Sequence, residues 1–423
     1  MNKQHVKYLL VGGGLASSSA AEAIRELDQA GSMLLVAQES IRPYHRPPLS
    51  KEFLRGEKRR EELFTLPLPW FDEHKVELRT GRRVSQLDTE RRAATLDDGQ
   101  EISFDRLLIA TGGSALHMTI PGAELPNVFY VRTVDDTQRL SYAVDKALRE
   151  GQRHERGRGK AVVIGGGFLG VELAATLTQR GLAVQLVHGH PLWNRFAGES
   201  TSQFLSRYLE QHGVGLVCGS RPSALEGDGR VQRVVLPNGP ALECDLVIAA
   251  VGMRLNRDLL RGTPVRAENA ILVDEHAQTN VPGIFAAGDC AAIFDPRFGK
   301  HRTMDHWDNA ITTGRLAGRN MAGQNDAYDG TGYFISDVFS LSISVWGEAR
   351  AVDRRLLRGT PNVESPDFVE IGVAADGRIA QVAAIAHAGE DELLQELVKR
   401  RLPINGNEES IKDPKFDLKK LLG

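Results

Sequence analysis

The sequence predicts an α/β chain of two Rossmann-like domains, the first interrupted by the second, followed by a small α+β domain. Three observations lead there. KYLLVGGGLASSSAAEAIREL (7–27) and KAVVIGGGFLGVELAATLTQR (160–180) repeat one pattern, an apolar strand, then glycines, then an alanine-rich helix. Their separation is far too long for a solenoid period and fits two related domains, each opening with its own βαβ unit. Next, FDRLLIATGG (104–113), CDLVIAAVGMRLN (244–256) and GIFAAGDCA (283–291) read as buried strands that end in glycine-rich turns. Finally, the texture changes near 327. FVEIGVAADGRIAQVAAIA (368–386) reads as a hairpin around Asp376-Gly377, and EDELLQELVKRRL (390–402) as an amphipathic helix.

In chain order, these markers place a first domain over 1–113 and 252–326, a second over 114–251, and the α+β domain over 327–423. GQRHERGRG (151–159) is expected as a charged surface loop leading into the second βαβ unit. The 43 glycines in 423 residues cluster after apolar runs, as strand-to-helix turns require.

Composition excludes several classes. Apolar content of 41% and charged content of 25% are ordinary for a globular protein. A net charge of −3 gives no electrostatic basis for nucleic-acid or membrane-surface binding. No apolar run approaches the roughly 20 residues of a bilayer span. The N-terminus runs straight into a strand without signal-peptide form, so a cytoplasmic protein is expected. The three cysteines, Cys218, Cys244 and Cys290, have no CxxC or CxxxxC spacing. A disulfide scaffold, a zinc site and an iron–sulfur cluster are therefore not expected, and no metal site is assigned.

Gly12-x-Gly14-x-x-Ser17 follows a strand and opens a helix at Leu15. Gly165-x-Gly167-x-x-Gly170 does the same, with Phe168 and Leu169 in the first turn. The first glycine permits the tight turn, the second lets backbone approach a pyrophosphate, and the third lets helix and strand pack closely. The helix N-terminus offers unpaired N–H groups and a positive dipole. A lone match is weak, but two in the right strand–helix context point to two dinucleotides, one a resident flavin and the other a visiting nicotinamide. The second strand of such a unit usually ends in an acid for the adenosine ribose. The first domain offers Gln38 and then Glu39 there, whereas the second offers His188 and no acid. With His190 and Arg195 nearby, this reads either as tolerance of NADPH or as a solvated loop, and both stay open.

These residues resemble the FAD-dependent pyridine-nucleotide oxidoreductases, in particular the ferredoxin and rubredoxin reductases and the apoptosis-inducing-factor branch. PYHRPPLSK (43–51) carries the resemblance most specifically. ATGG (110–113), GGGFLGVELA (165–174), GIFAAGD (283–289), HWDNAITTGRLAGRNMAG (306–323) and YFISDVF (333–339) follow in the family order. The resemblance covers most of the chain and implies FAD and NAD(P)H as cofactors. It implies that Gly12, Gly14, Leu15 and Ser17 cradle the FAD pyrophosphate, with Ala110, Thr111 and Gly112 in the adjoining turn. Arg46, Lys51 and Arg132 would contact FAD, Val84 would lie by the adenine, and Gln38 or Glu39 would meet the ribose. Asp289, given room by Gly288, would bind the ribityl chain, and His306 and Trp307 would sit at the flavin's pyrimidine edge. For NAD(P)H it implies Gly165, Gly167, Phe168, Leu169, Gly170, Glu172, His188 and Gly252. Lys51 and Glu172 would be the catalytic pair, since a carboxylate on an apolar helix otherwise lacks a compensating charge.

The acceptor follows by subtraction. Relatives that reduce disulfides carry redox cysteines beside the flavin, and this chain has none before Cys218. The expected function is hydride transfer from NAD(P)H to flavin N5, then electron transfer to a separate acceptor, a small ferredoxin or rubredoxin. Two alternatives remain, a reductase of a quinone or similar small acceptor, and an apoptosis-inducing-factor-like redox-sensing flavoprotein. Arg42, Arg46, Lys51, Arg55, Lys58, Arg59 and Arg60 could form a docking face, but Glu52, Glu57, Glu61 and Glu62 interleave as on a solvated surface. A homodimer is left open.

Overall fold

The computed structural model describes residues 4–153 and 157–422. They divide into two compact units. The first comprises residues up to 45, 61–114 and 254–332, and the second 46–60, 115–253 and 333 onward.

In the first unit, β1 (Gln4–Val11), α1 (Leu15–Leu27) and β2 (Met33–Ala37) form the opening βαβ unit, and β3 (Val76–Thr80) follows. β4 (Val84–Asp88), β5 (Ala93–Leu96) and β6 (Glu101–Ile109) complete a sheet of order β3-β2-β1-β6-β5-β4. The strand Ile284–Ala286 adds in parallel to the C-terminal half of β6. The near-continuous apolar runs of β1 and β2 are what a parallel strand covered on both faces requires, and Leu9, Leu10, Leu34 and Leu35 are fully buried. α1 packs along the helix Trp307–Met321 at small residues. Side-chain carbon on Gly314 or Gly318 would collide with the α1 backbone at Ala16 and Ala20.

In the second unit, β7 (Val128–Phe129) and α2 (Val134–Arg153) precede β8 (Lys160–Ile164), α3 (Phe168–Gln179), β9 (Ala183–His188), α4 (Glu199–Gln211), β10 (Val214–Cys218) and β11 (Leu246–Ala249). The strands form a parallel sheet of order β10-β9-β8-β11-β7. α2 continues through 153, into the segment expected as a loop over 151–159. Residues 154–156 lie outside the described residues.

The C-terminal part of this unit is an antiparallel sheet of β12 (Tyr333–Val338), β13 (Leu341–Gly347), β14 (Arg354–Thr360), β15 (Asp367–Val373) and β16 (Ile379–Ile385), ordered β12-β13-β16-β15-β14. The expected hairpin is β15–β16, turning at Gly377 with φ +76°. One face of the sheet shares a core with α3 and α4 through Val338, Ile343 and Phe368. The other face is covered by α5 (Asp391–Lys399). This helix is shorter than the 390–402 pattern suggests. Arg401 adopts φ +47°, and the N–H of Ile379 donates to the Leu402 carbonyl, drawing the chain back to the sheet.

Candidate functional site

In the first unit the tips of β1 and β6 lie side by side, with Val11 opposite Ile109. Gly12 has φ +133°, and a Cβ there would collide with the Ala110 carbonyl oxygen, so glycine is required both for conformation and for room. Its N–H donates to the Val36 carbonyl at 2.9 Å. Gly14 precedes α1 with nothing within 4 Å of where a Cβ would stand. The helix begins with no side-chain cap and no acid in its first turn. Its leading N–H groups and dipole are therefore available to an anion. Ser17, wholly buried, has an Oγ without a hydrogen-bond partner. Open backbone at Gly14, an uncapped helix start and an unused hydroxyl together fit a pyrophosphate. Leu15 opens the helix beside them.

The residues around this cradle fall where the ends of parallel strands place them. Gln38 is exposed and Glu39 half-buried beyond β2, and Glu39 accepts a 2.6 Å hydrogen bond from the Tyr44 hydroxyl. Thr111 Oγ1 donates to the Asn256 carbonyl at 2.6 Å, while Asn256 Nδ2 donates to the Thr111 carbonyl at 3.0 Å. Together they lock the Ala110–Gly112 turn. Val84 is buried at the start of β4. After the strand Ile284–Ala286, Gly288 (φ +73°) donates its N–H to Thr313 Oγ1, and half-buried Asp289 follows. His306 stands before the helix Trp307–Met321, and burial pushes its pKa down, favouring the neutral ring. Trp307 is 43% exposed and donates from Nε1 to His45 Nδ1 at 2.9 Å.

The second unit repeats the device. Gly165 has φ +123°, and a Cβ there would meet the Ala250 carbonyl oxygen, the counterpart of Ala110. A Cβ on Gly170 would strike the Gly165 carbonyl oxygen, so the third glycine is a packing requirement. Gly167 precedes an α3 that also lacks a side-chain cap and a first-turn acid. Phe168 joins an aromatic cluster, its ring centroid 4.1 Å from Phe334, 4.2 Å from Phe196 and 4.6 Å from Trp193. Leu169 is half-buried beside it, and Gly252 (φ +122°) accepts from the Leu116 N–H at 3.0 Å. His188 does not face outward. Its ring is buried, with Nδ1 2.7 Å from the His190 carbonyl and Nε2 3.2 Å from Cys218 Sγ.

Residues 46–60 cluster with this second unit, which brings Lys51 onto α3. Lys51 is 5% exposed, and its Nζ lies 3.8 Å from Glu172 Oε1 and 3.2 Å from Asp337 Oδ2. The Glu172 carboxylate accepts from Ser50 Oγ at 2.6 Å and from Ser336 Oγ at 2.7 Å, and Thr176 Oγ1 donates to the Ser50 carbonyl at 2.7 Å. The expected Lys51–Glu172 pairing is thus present as an ion pair, while the lysine's hydrogen bond goes to Asp337. Burial opposes the charge on Lys51, but Glu172 and Asp337 outweigh it and raise its pKa. Burial raises the Glu172 pKa, against the lowering pull of Lys51, Ser50 and Ser336. The two shifts point opposite ways for the pair. The lysine charge is the firmer conclusion, because two carboxylates face one ammonium. Arg46 and Arg132 also come together, Arg46 Nη1 donating to the Arg132 carbonyl at 2.6 Å.

Sequence reasoning missed Ser50, Ser336, Asp337 and Asn256 as partners. The first three stood inside the motifs PYHRPPLSK and YFISDVF, but linear order does not show which side chains converge. No group of His, Cys, Asp and Glu suited to a metal occurs among the described residues. All three cysteines are free thiols. Burial raises the pKa of each, that of Cys244 to about 12.

Residues 6–314 match the family model described as pyridine nucleotide-disulphide oxidoreductase. The chain belongs to this family. Residues 333–422 match the reductase C-terminal model. Family members of this kind use FAD and NAD(P)H, and this chain is an FAD-dependent oxidoreductase. It is 28% identical to rhodocoxin reductase of Rhodococcus erythropolis over 414 residues, 97% of this chain and 93% of that protein. It is 30% identical to monodehydroascorbate reductase 2 of Arabidopsis thaliana over 387 residues, 85% of each chain. The reductase in the covalent putidaredoxin reductase–putidaredoxin complex superimposes with a TM-score of 0.90 at 26% identity, covering 99% of this chain and 98% of that one. No helix among the described residues is long and apolar enough to cross a membrane.

Proposed function

We propose that this chain passes electrons from NAD(P)H, through FAD, to a small iron–sulfur protein of the ferredoxin or rubredoxin kind. The observation that carries the proposal is chemical. A charged pair of the kind expected at a hydride-transfer site is present, whereas none of the three thiols pairs with another, and burial raises the pKa of Cys244 and Cys290. Electrons must then leave to an external acceptor rather than through a disulfide. Rhodocoxin reductase and the partner of putidaredoxin support this choice of acceptor.

When bound, FAD supplies the chemistry, taking a hydride from NAD(P)H and releasing electrons singly. The chain's own residues bind and orient. Gly12, Gly14 and Ser17 hold one pyrophosphate, and Gly165, Gly167 and the start of α3 hold the other. Glu39 takes the FAD ribose and Asp289 the ribityl chain. Glu172, one turn into α3, positions the nicotinamide end of the coenzyme. Ser50 and Ser336 restrain its carboxylate, and Lys51 keeps a fixed positive charge beside it, the kind of preorganised electrostatics that costs no rearrangement during reaction. Free thiols at all three cysteines suit a reducing, cytoplasmic setting.

A second reading, reduction of a small acceptor, is favoured by the similarity to a monodehydroascorbate reductase. Anaerobic stopped-flow mixing with NADH and with NADPH, followed by turnover with ferredoxins, rubredoxins, quinones and monodehydroascorbate, tests both. Fast flavin bleaching with iron–sulfur turnover supports the proposal. Fast bleaching with turnover only of small molecules moves the chain to the second reading. Slow reduction with a lasting long-wavelength band refutes both and indicates a redox sensor.

A further inference from the structure

In a βαβ unit the loop after the second strand meets the adenosine ribose, and a carboxylate there repels a 2′-phosphate. In the second unit this loop is His188-Gly189-His190, which contains no carboxylate. His188 is turned inward with both ring nitrogens engaged. The neighbouring strand β10 ends at Cys218, in register with His188. The chain then turns at Gly219 (φ +72°), and the Ser220 N–H donates to the His188 carbonyl at 3.3 Å. This turn lays Arg221 across the ribose loop. A Cβ on Gly189 would stand 2.9 Å from Arg221 Nε and 3.0 Å from its Cγ, so the arginine side chain lies directly over residue 189. Arg221 Nη2 donates to His190 Nε2 at 2.7 Å.

Arg221 is exposed, and among the described residues no carboxylate pairs with it. A guanidinium has five N–H donors in a planar fork, the geometry that grips phosphate oxygens. The first unit has the same topology, with an arginine at the corresponding place but an acid in the ribose loop. Its ribose loop carries Glu39, and Arg82, which follows the corresponding outer strand β3, is tied to Asp98 at 3.2 Å. FAD has no 2′-phosphate, so that half needs no free cation.

We propose that Arg221, oriented by His190, is the 2′-phosphate site that makes this chain select NADPH over NADH. The proposal rests on the reading of the second βαβ unit as the coenzyme site. The test uses the holoprotein and isothermal titration calorimetry with 2′,5′-ADP and with 5′-AMP, fragments that differ only in the 2′-phosphate. Wild type is expected to bind 2′,5′-ADP at least about tenfold more tightly than 5′-AMP, and Arg221→Gln to lose that discrimination by about 10- to 100-fold, the scale of one or two charge-assisted hydrogen bonds. Equal affinities in wild type, or discrimination that survives Arg221→Gln, would overturn the assignment while leaving the coenzyme site intact. Binding of neither fragment would instead overturn the underlying reading of the second βαβ unit. The ratio of kcat/KM for NADPH and NADH should move in parallel with the fragment affinities.

Discussion

Replacing Lys51 by Met strands a buried carboxylate, and the structure sets the scale of the damage. Lys51 Nζ lies 3.8 Å from Glu172 Oε1 and 3.2 Å from Asp337 Oδ2. At an effective dielectric constant of about 20 these separations correspond to gross attractions of about 4 and about 5 kcal/mol. The Asp337 side chain is 45% exposed, so water replaces most of its share and its loss amounts to about 1 kcal/mol or less. Glu172 has no such recourse at 8% exposure. Removing one partner of a buried pair costs about 3–5 kcal/mol, because the other charge stays desolvated. With roughly 2–4 °C lost per kcal/mol in domains of 150–250 residues, Lys51→Met should lower Tm by roughly 10 °C. Glu172→Gln in the same chain removes the stranded charge, and the hydroxyls of Ser50 and Ser336 can each donate to the amide oxygen or accept from its nitrogen. Lys51→Met/Glu172→Gln should therefore recover at least half of the loss. The assay is differential scanning calorimetry of the four holoproteins at pH 7, read as a double-mutant cycle. A double variant as unstable as the sum of the singles would refute the argument that these groups form one energetic unit.

Gly12→Ala should yield protein largely free of flavin, seen as a fall in the 450 nm to 280 nm absorbance ratio. Gly165→Ala, with the same clash at Ala250, should remain yellow yet fail to bleach with NADPH. The Glu172 pKa is raised in the fold above its ordinary 4.5, so the folded state holds this proton more tightly than the unfolded chain. That stability is fully present below about pH 4.5 and is lost as pH rises through the folded value. The Tm difference, wild type minus Glu172→Gln, should accordingly fall with rising pH above 4.5, and a rise would show a carboxylate dominated by its ion pair. Replacing all three cysteines (Cys218→Ser, Cys244→Ala, Cys290→Ala) should leave NAD(P)H-driven turnover within about threefold, since none is paired with another, Cys244 and Cys290 are buried, and the pKa of each is raised, which disfavours the thiolate. A hundredfold loss would reinstate a thiol relay.

The duplicated strand–glycine–helix pattern was legible because its causes are local. A positive φ at Gly12 and Gly165, an open residue before each helix and near-continuous apolar strands are properties of short segments. The family motifs located Lys51 and Glu172 for the same reason, as residues standing in recognisable strings. What a string does not carry is the identity of a side chain's partner. Asp337 is 286 residues from Lys51 and Ser50 is 122 from Glu172, yet each pair is hydrogen-bonded. His188 seemed a candidate for the coenzyme, and only the register of β9 with β10 turned its ring toward Cys218 and brought Arg221 over Gly189 instead. The sequence alone thus determined the strand–glycine–helix succession of each βαβ unit, the glycine cradles and the absence of a CxxC or CxxxxC cysteine pair, all set by backbone sterics and composition. Beyond the expected Lys51–Glu172 pair, the tertiary structure alone decided the partners Asp337, Ser50 and Ser336, because electrostatic energy depends on distance and burial through space and not on separation along the chain.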